Sequence, residues 1–304
     1  MPPSPPMPTQ RDWLSIIALG VIWGGTFMVV SFALRGYGPV TVATARVVLG
    51  ASALIALALV LRRPMPQWSP ALIGSVIAIG ILTSALPFML LSWGQQSVTS
   101  AFAGLSMAAV PLFVLPLAHF FAAEPLTRRK AFGFGLGFIG AAILLGPDIL
   151  APGLSGNAAT QAEVLPRIAC LTAPLCYACG SVLTRRCPPI DPITLAALSL
   201  VVGSVILLPL MLVTEGVPVW AGAVPGTAII LLGLVPTAFA ALLRVSVIRS
   251  AGSSFMTLTS YQVPVWSMVF GATILGEALP LRFFAALGLI LIGLLISQRK
   301  PKAG

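Results

Sequence analysis

The chain carries very little charge. Of its 304 residues, Lys and Arg number 17 and Asp and Glu 7, together 8%. A soluble domain clothes its surface with about 25% charged residues. That shortage excludes a soluble globular protein, because most of this surface must face lipid. Histidine is scarcer still. His119 is the single histidine, and one histidine does not make a metal or catalytic centre by itself. The four cysteines are Cys170, Cys176, Cys179 and Cys187. Three fall along one helical run, so they cannot converge on the tetrahedral point that zinc requires. A disulfide between Cys176 and Cys179 within a regular helix is disfavoured too, and the four read as small packing residues. No Asp or Glu falls at mid-depth in any apolar run, which argues against proton coupling through a membrane carboxylate. No convergent set of nucleophile, acid and metal ligands is present, so neither an enzyme nor a bound cofactor is expected.

Apolar residues are abundant, at 58%. A membrane span needs roughly 20 of them at 1.5 Å rise each. Ten such runs are predicted, at about 13–34, 39–61, 71–93, 99–121, 128–146, 165–184, 192–213, 224–247, 254–275 and 281–298. They are too long and continuous for barrel strands, so each is a helix that satisfies its own backbone in lipid. Residues 1–12 are expected to be a disordered Pro-rich inner tail, and the first span is expected to be retained, since no signal-peptide pattern precedes it. A first five-helix unit then covers 13–146, an outer linker 147–164, a second five-helix unit 165–298 and a short inner tail 299–304. Little chain remains for a soluble domain.

The net charge of +10 raises the question of nucleic acid, and its distribution answers it. With both termini inside, Arg11, Arg62, Arg63, Arg128, Arg129, Lys130, Arg185, Arg186, Arg249, Arg299, Lys300 and Lys302 lie on the inner side. Only Arg35, Arg167 and Arg282 lie outside. Twelve against three is the positive-inside bias of a polytopic membrane protein. No nucleic-acid partner is expected, and the lipid bilayer is.

The chain repeats itself. The stretch from Ser100 to Gly146 matches Ser253 to Ser297 at one gapless offset, since 264 − 111 = 153 for the prolines and 277 − 124 = 153 for the glutamates. The same offset pairs Pro39 with Pro192, Thr41 with Thr194, Gly50 with Gly203 and Gly80 with Gly233. Five spans is an odd number, so the second unit must sit upside down relative to the first. Inverted repeats are the build of alternating-access transporters, with a substrate site near mid-depth between the halves. Glu124 and Glu277 then lie at opposite faces, and each reads as a cap favoured by the dipole of the helix that follows.

Several residues compete for a place in that site. Arg46 lies about two turns into the second run, where a charge needs a reason. Arg244, near the inner end of the eighth run, reads as a snorkelling side chain. Polar and aromatic residues gather at mid-depth: Trp23, Thr26, Ser84, Tyr177, Tyr261, Gln262 and Trp266. Ser84 and Ser106 are mirrored by Thr237 and Thr259. Mid-run prolines free backbone carbonyls and can bend their helices; Pro87, Pro111, Pro236 and Pro264 are expected to shape the cavity or act as hinges. The string Gly135-x-Gly137-x-x-Gly140 matches a dinucleotide fingerprint but lies inside an apolar helix rather than between a strand and a helix. With Gly133, and like Gly20-x-x-x-Gly24, it reads as a small-residue packing stripe.

The patch Trp23-Gly24-Gly25-Thr26-Phe27, Arg46, and the twin Pro…Glu-x-Leu pairs resemble the EamA type of the drug/metabolite transporter superfamily. The resemblance covers nearly the whole chain. It implies an all-α membrane protein of ten helices, two inverted five-helix repeats around a central cavity, and export of small metabolites. Within that group the chain is similar to the YddG-type amino-acid exporters of bacterial inner membranes, which implies neutral or aromatic amino acids as substrates and cavity positions at Trp23, Ser84, Tyr177 and Tyr261. Export of another solute such as a nucleoside or drug, or a non-transporting receptor or scaffold, stays open at this point, as does the oligomeric state.

Overall fold

A computed structural model of the chain describes residues 8–122, 128–146, 162–251, 253–256 and 258–298. The described residues are all-helical apart from turns and short connections. In chain order the helices are α1 (Gln10–Ala33), α2 (Pro39–Val60), α3 (Pro70–Gly94), α4 (100–122), α5 (Arg128–Leu145), α6 (Val164–Arg186), α7 (Pro192–Thr214), α8 (223–251), α9 (Ser253–Met256), α10 (Thr259–Ile274) and α11 (Leu281–Gln298). Six of them, α1, α2, α3, α6, α7 and the Ala223–Ile248 part of α8, are long and apolar enough to cross a membrane; α4, α5 and α11 contain shorter apolar stretches. Their outward faces carry exposed Leu59, Val60, Val205, Val213 and Leu295, which a lipid environment would cover.

The starts of the helices are written into the sequence. Thr9 and Asp12 form a reciprocal capping box, which sets the first helix going at Gln10, three residues ahead of the expected span. Pro39, Pro70 and Pro192 each stand in the first turn, where the missing N–H costs nothing. Asp191 adds a carboxylate cap, accepting from the N–H groups of Ile193 and Thr194 at 3.0 and 3.1 Å. Gly146 and Gly216, at φ +93° and +78°, follow the ends of α5 and α7 in the left-handed conformation that glycine adopts without strain.

The prolines further inside act differently from simple kinks. In α3 a π-helical segment, Ile81–Ala85, ends two residues before Pro87. In α8 the π segment Leu234–Phe239 contains Pro236. In α4 a 3₁₀ turn, Met107–Ala109, precedes Pro111, and the Val110 N–H takes up the Met107 carbonyl that the proline cannot serve. Each widened or tightened turn absorbs the missing i→i−4 bond locally.

Packing relies on glycines. A methyl group at Gly133 would stand 2.3 Å from the Gly293 carbonyl oxygen, and one at Gly140 would stand 2.9 Å from the Ala286 carbonyl, so α5 and α11 touch backbone to backbone. Since 133 meets 293 and 140 meets 286, these helices are antiparallel. Val47 packs on Gly203, and Thr44 donates to the Leu207 carbonyl at 3.1 Å, so α2 and α7 are antiparallel as well. Gly20 receives Gln262 and Gly24 receives Trp266, so α1 and α10 run parallel. The Leu86–Gly94 half of α3 packs on α6, and α4 lies between α6 and α10. The core between these helices holds Phe27, Leu91, Phe102, Leu105, Leu144, Ala173 and Phe283.

Candidate functional site

The most informative polar contact in the fold begins with a proline. Pro236 has no N–H to give the carbonyl four residues earlier, that of Leu232. The Thr237 hydroxyl donates to it instead, at 2.8 Å. The same hydroxyl oxygen accepts from Arg46 Nε at 3.1 Å. The guanidinium of Arg46 lies over the Phe88 ring, 3.8 Å from its centroid, and Tyr177 of α6 is within electrostatic reach. Trp23 of α1 closes the group, its indole N–H donating to the Pro236 carbonyl at 3.1 Å. Five helices, α1, α2, α3, α6 and α8, therefore converge on the π segment of α8. A span arginine costs about 2.5–3.5 kcal/mol by insertion scales. Here one hydrogen bond and one aromatic face offset part of that cost.

The other expected residues lie elsewhere. Ser84 is buried in the π segment of α3, against the surface of Gly203 on α7. Thr26 is buried and donates to the Ile22 carbonyl of its own helix at 2.9 Å. Gln262 and Trp266 lie on Gly20 and Gly24, where methyl groups would come within 2.6 and 2.4 Å of them; Trp266 also stacks on Phe270 at 5.6 Å. Both thus spend much of their surface joining α10 to α1. Tyr261 is half-buried one residue before Gln262. Of the four prolines, Pro236 is in the converging group, while Pro87, Pro111 and Pro264 lie in α3, α4 and α10. A shallow cavity of about 430 Å³ lies between the ends of α2, α7 and α8, lined by Leu61, Arg63, Ile193, Leu242, Val245, Ser246 and Ser250; none of the expected site residues lines it.

Two residues were underrated by sequence reasoning. Thr237 was visible only as the mirror of Ser84; its position next to a mid-span proline was the signal for its role. Arg244 is the other. It falls on the stripe Thr237, Ala240, Arg244, Val247 and Ala251 of α8, in which the other four are buried. Arg244 itself is exposed, a cation on an otherwise buried stripe.

Each described acid is committed elsewhere. Asp12 pairs with Thr9 and Ser250, Glu163 with Arg167, and Asp191 with Arg63 at 3.6 Å. Glu215 accepts from the N–H groups of Val40 and Thr41 at 3.0 and 2.8 Å. Glu277 accepts from those of Ser100 and Ala101 at 2.7 and 2.9 Å. Glu277 is therefore a helix cap, but of α4 in the other half rather than of the helix that follows it in sequence. The connection after α10 folds back over α4, where two free N–H groups and a helix dipole await a carboxylate. Glu124 and the side chain of His119 lie outside the described residues. Cys170 and Cys176 are buried among apolar neighbours, and no His, Cys, Asp and Glu cluster fit for a metal occurs among the described residues.

The described residues, all-helical with several spans long and apolar enough to cross a membrane, are those of a polytopic membrane protein. The EamA-like transporter family model matches twice, over residues 12–146 and 166–298, and the chain belongs to that family. An uncharacterized transporter of Archaeoglobus fulgidus is 25% identical over 292 residues, covering 96% of this chain and all of that protein. A probable terminal-alkyne amino-acid exporter of Streptantibioticus cattleyicolor is 26% identical, covering 96% and 94%. An S-adenosylmethionine/S-adenosylhomocysteine transporter of Chlamydia trachomatis is 26% identical, covering 90% and 84%. One crystal structure shares the fold with a TM-score of 0.63 at 19% identity, covering 96% of this chain and 97% of that one.

Proposed function

We propose that the protein exports small amino-acid-like solutes across a bacterial inner membrane by alternating access between two inverted halves, each of five spans, with both termini cytoplasmic. One observation carries this reading: helices equivalent at the 153-residue offset pack on each other antiparallel, with reciprocal contacts. Gly50 meets Thr237, and its counterpart Gly203 meets Ser84, the counterpart of Thr237. Gly80 meets Val202, and Gly233 meets Leu49 in the same relation. Gly140 meets Ala286, and Gly293 meets Gly133. Such reciprocity supports a two-fold axis lying across the helices, in the plane of the membrane. The two π segments occupy equivalent positions, Ile81–Ala85 and Leu234–Phe239, and supply paired compliant points. Among the described residues, the carboxylate ties between distant connections join ones that ten alternating spans put on one side, as with Glu277 to Ser100 and Asp12 to Ser250.

In this reading the domain boundaries are those of the two five-helix units with the 147–164 connection outside. The site forms around Trp23, Arg46, Tyr177 and Pro236, while Ser84, Tyr261, Gln262 and Trp266 line or support its approach. Amino acids are preferred because the candidate group is aromatic and carries a lone cation, and because one relative is named an amino-acid exporter. The test is counterflow in liposomes: purified protein, a panel of labelled amino acids, and S-adenosylmethionine and nucleosides as comparison solutes. Exchange of a neutral or aromatic amino acid is expected. A panel in which no amino acid moves would refute the substrate class.

A further inference from the structure

The accounting of charge inside the bundle does not close. Among the described residues, Arg46 and Arg244 are the cations within the spans that have no acid partner, Arg167 of α6 being buried and paired with Glu163, and every described acid is held at a helix end by another partner. Arg46 has one neutral partner through Nε, the Thr237 hydroxyl, and an aromatic face. Arg244 has no hydrogen bond or ion pair among the described residues and is exposed on a stripe of α8 whose other members are buried. The two are linked through α8. Thr237 touches Arg46, and Arg244 follows Thr237 by seven residues, which is close to two whole turns. The guanidinium of Arg244 therefore projects from nearly the same face of α8, roughly 10 Å further along its axis. Neither cation has an acid partner among the described residues. An anion entering between these helices would supply one.

We propose that Arg244 and Arg46 form a two-step carboxylate track. Arg244 receives the carboxylate of the solute at the exposed end of the track, and Arg46, fixed by Thr237 and Phe88, holds it at the π segment. This inference rests on the transport reading above and sharpens it: the solute is recognised by its carboxylate, not by its ammonium group. No described acid is free to pair with an ammonium, whereas two guanidiniums can present parallel N–H donors to a carboxylate. The remainder of the solute then meets Trp23, Phe88 and Tyr177, which suits an aromatic or apolar side chain.

The test uses the full chain in liposomes with labelled phenylalanine in counterflow. Three competitors separate the groups: 3-phenylpropionate keeps the carboxylate alone, phenethylamine keeps the ammonium alone, and phenylalanine amide loses the carboxylate. The expected result is competition by 3-phenylpropionate and none by the other two. Arg244→Gln and Arg46→Gln should each weaken that competition about tenfold or more, the loss expected for one hydrogen bond to a charged group. Arg244→Lys, which keeps the charge, should restore much of it and controls for folding. Equal competition by phenethylamine, or phenylalanine flux indifferent to both Gln variants, overturns the track and leaves the amino-acid reading standing. Arginine-dependent flux of labelled 3-phenylpropionate with no flux of any amino acid does the reverse. No flux of either solute overturns both.

Discussion

Glu277 offers the sharpest quantitative test of the fold. Its carboxylate accepts two backbone hydrogen bonds, at 2.7 and 2.9 Å, from the first N–H groups of α4. Gly271, one turn before the end of α10, makes room for it, since a methyl group there would stand 2.5 Å from Oε2. Each hydrogen bond to a charged group contributes about 1.5–3 kcal/mol when no water replaces it, and a capping side chain typically about 1 kcal/mol where water does. Glu277 is half-buried and Thr99 supplies a second cap through the Phe102 N–H, so the expected loss for Glu277→Ala is about 2 kcal/mol. At roughly 2–4 °C per kcal/mol for large domains, the thermal midpoint in detergent should fall by about 4–8 °C. Gly271→Ala provides the diagnostic partner. In the wild type its methyl displaces the carboxylate and should cost a comparable amount. In the Glu277→Ala background the nearest obstacle is gone, Ala101 Cβ and Ser100 Oγ remain at 3.2 Å, and alanine exceeds glycine in helix propensity by about 0.8–1 kcal/mol. The same substitution should then cost markedly less. Midpoints of the four proteins form a double-mutant cycle. Additive losses, or a Glu277→Ala midpoint within about 1 °C of wild type, would refute the assignment of Glu277 as the cap of α4.

Three further outcomes follow from the same contacts. Thr237→Val should cost about 1–3 kcal/mol, because it strips both the Leu232 carbonyl and Arg46 Nε of their partner while keeping the shape; Thr237→Ser should recover most of the midpoint. Gly50→Ala should cost about 1–3 kcal/mol by overpacking, since its methyl meets Thr237 Cγ2 at 2.6 Å, and the loss should shrink in a Thr237→Ser background. At the end of α6, burial pushes the Cys187 thiol up from its ordinary value, against a weaker downward pull from a hydrogen bond with Ser75. Its thiolate is scarce at neutral pH, so its alkylation should be slow there and keep accelerating beyond pH 9, measured by mass spectrometry of the intact chain.

The helices and their order were legible because lipid imposes a simple demand: long apolar runs, started by Pro, Thr or Asp. The helix pairings were partly legible. Gly20 and Gly24 stand four apart, and so do Gln262 and Trp266, which fill them; one spacing was read as a packing stripe and the other as a binding surface. Nothing in a single sequence says which stripe a bulky pair will meet, because that depends on how two distant helices cross. Mid-span prolines were visible, yet their outcome was not, since a kink, a 3₁₀ turn and a π segment all answer one missing N–H. The candidate site lay behind that ambiguity. Arg46 stood out for its charge, but its fixed position comes from Thr237, whose hydroxyl is oriented by a carbonyl that Pro236 releases.

That chain of dependence has a consequence for movement. The Arg46 anchor is the product of a π segment, not of a regular helix. A π turn holds one residue more than its α-helical alternative, and passing between the two rotates every later residue of α8 by a large fraction of a turn. Arg244 lies beyond that segment and Arg46 is tied to it. Any return of Leu234–Phe239 to α-helical register must therefore turn Arg244 relative to the helices that face the start of α8, and it must remake the Thr237 contact with the Leu232 carbonyl. If the halves exchange roles during transport, the equivalent segment Ile81–Ala85 is the element expected to change with it. Spin labels at Ser246 and Leu61, on either side of the shallow cavity, would report that rotation as a change in distance between them when solute is added. An unchanged distance under turnover would show that the π segment is a static feature of the fold.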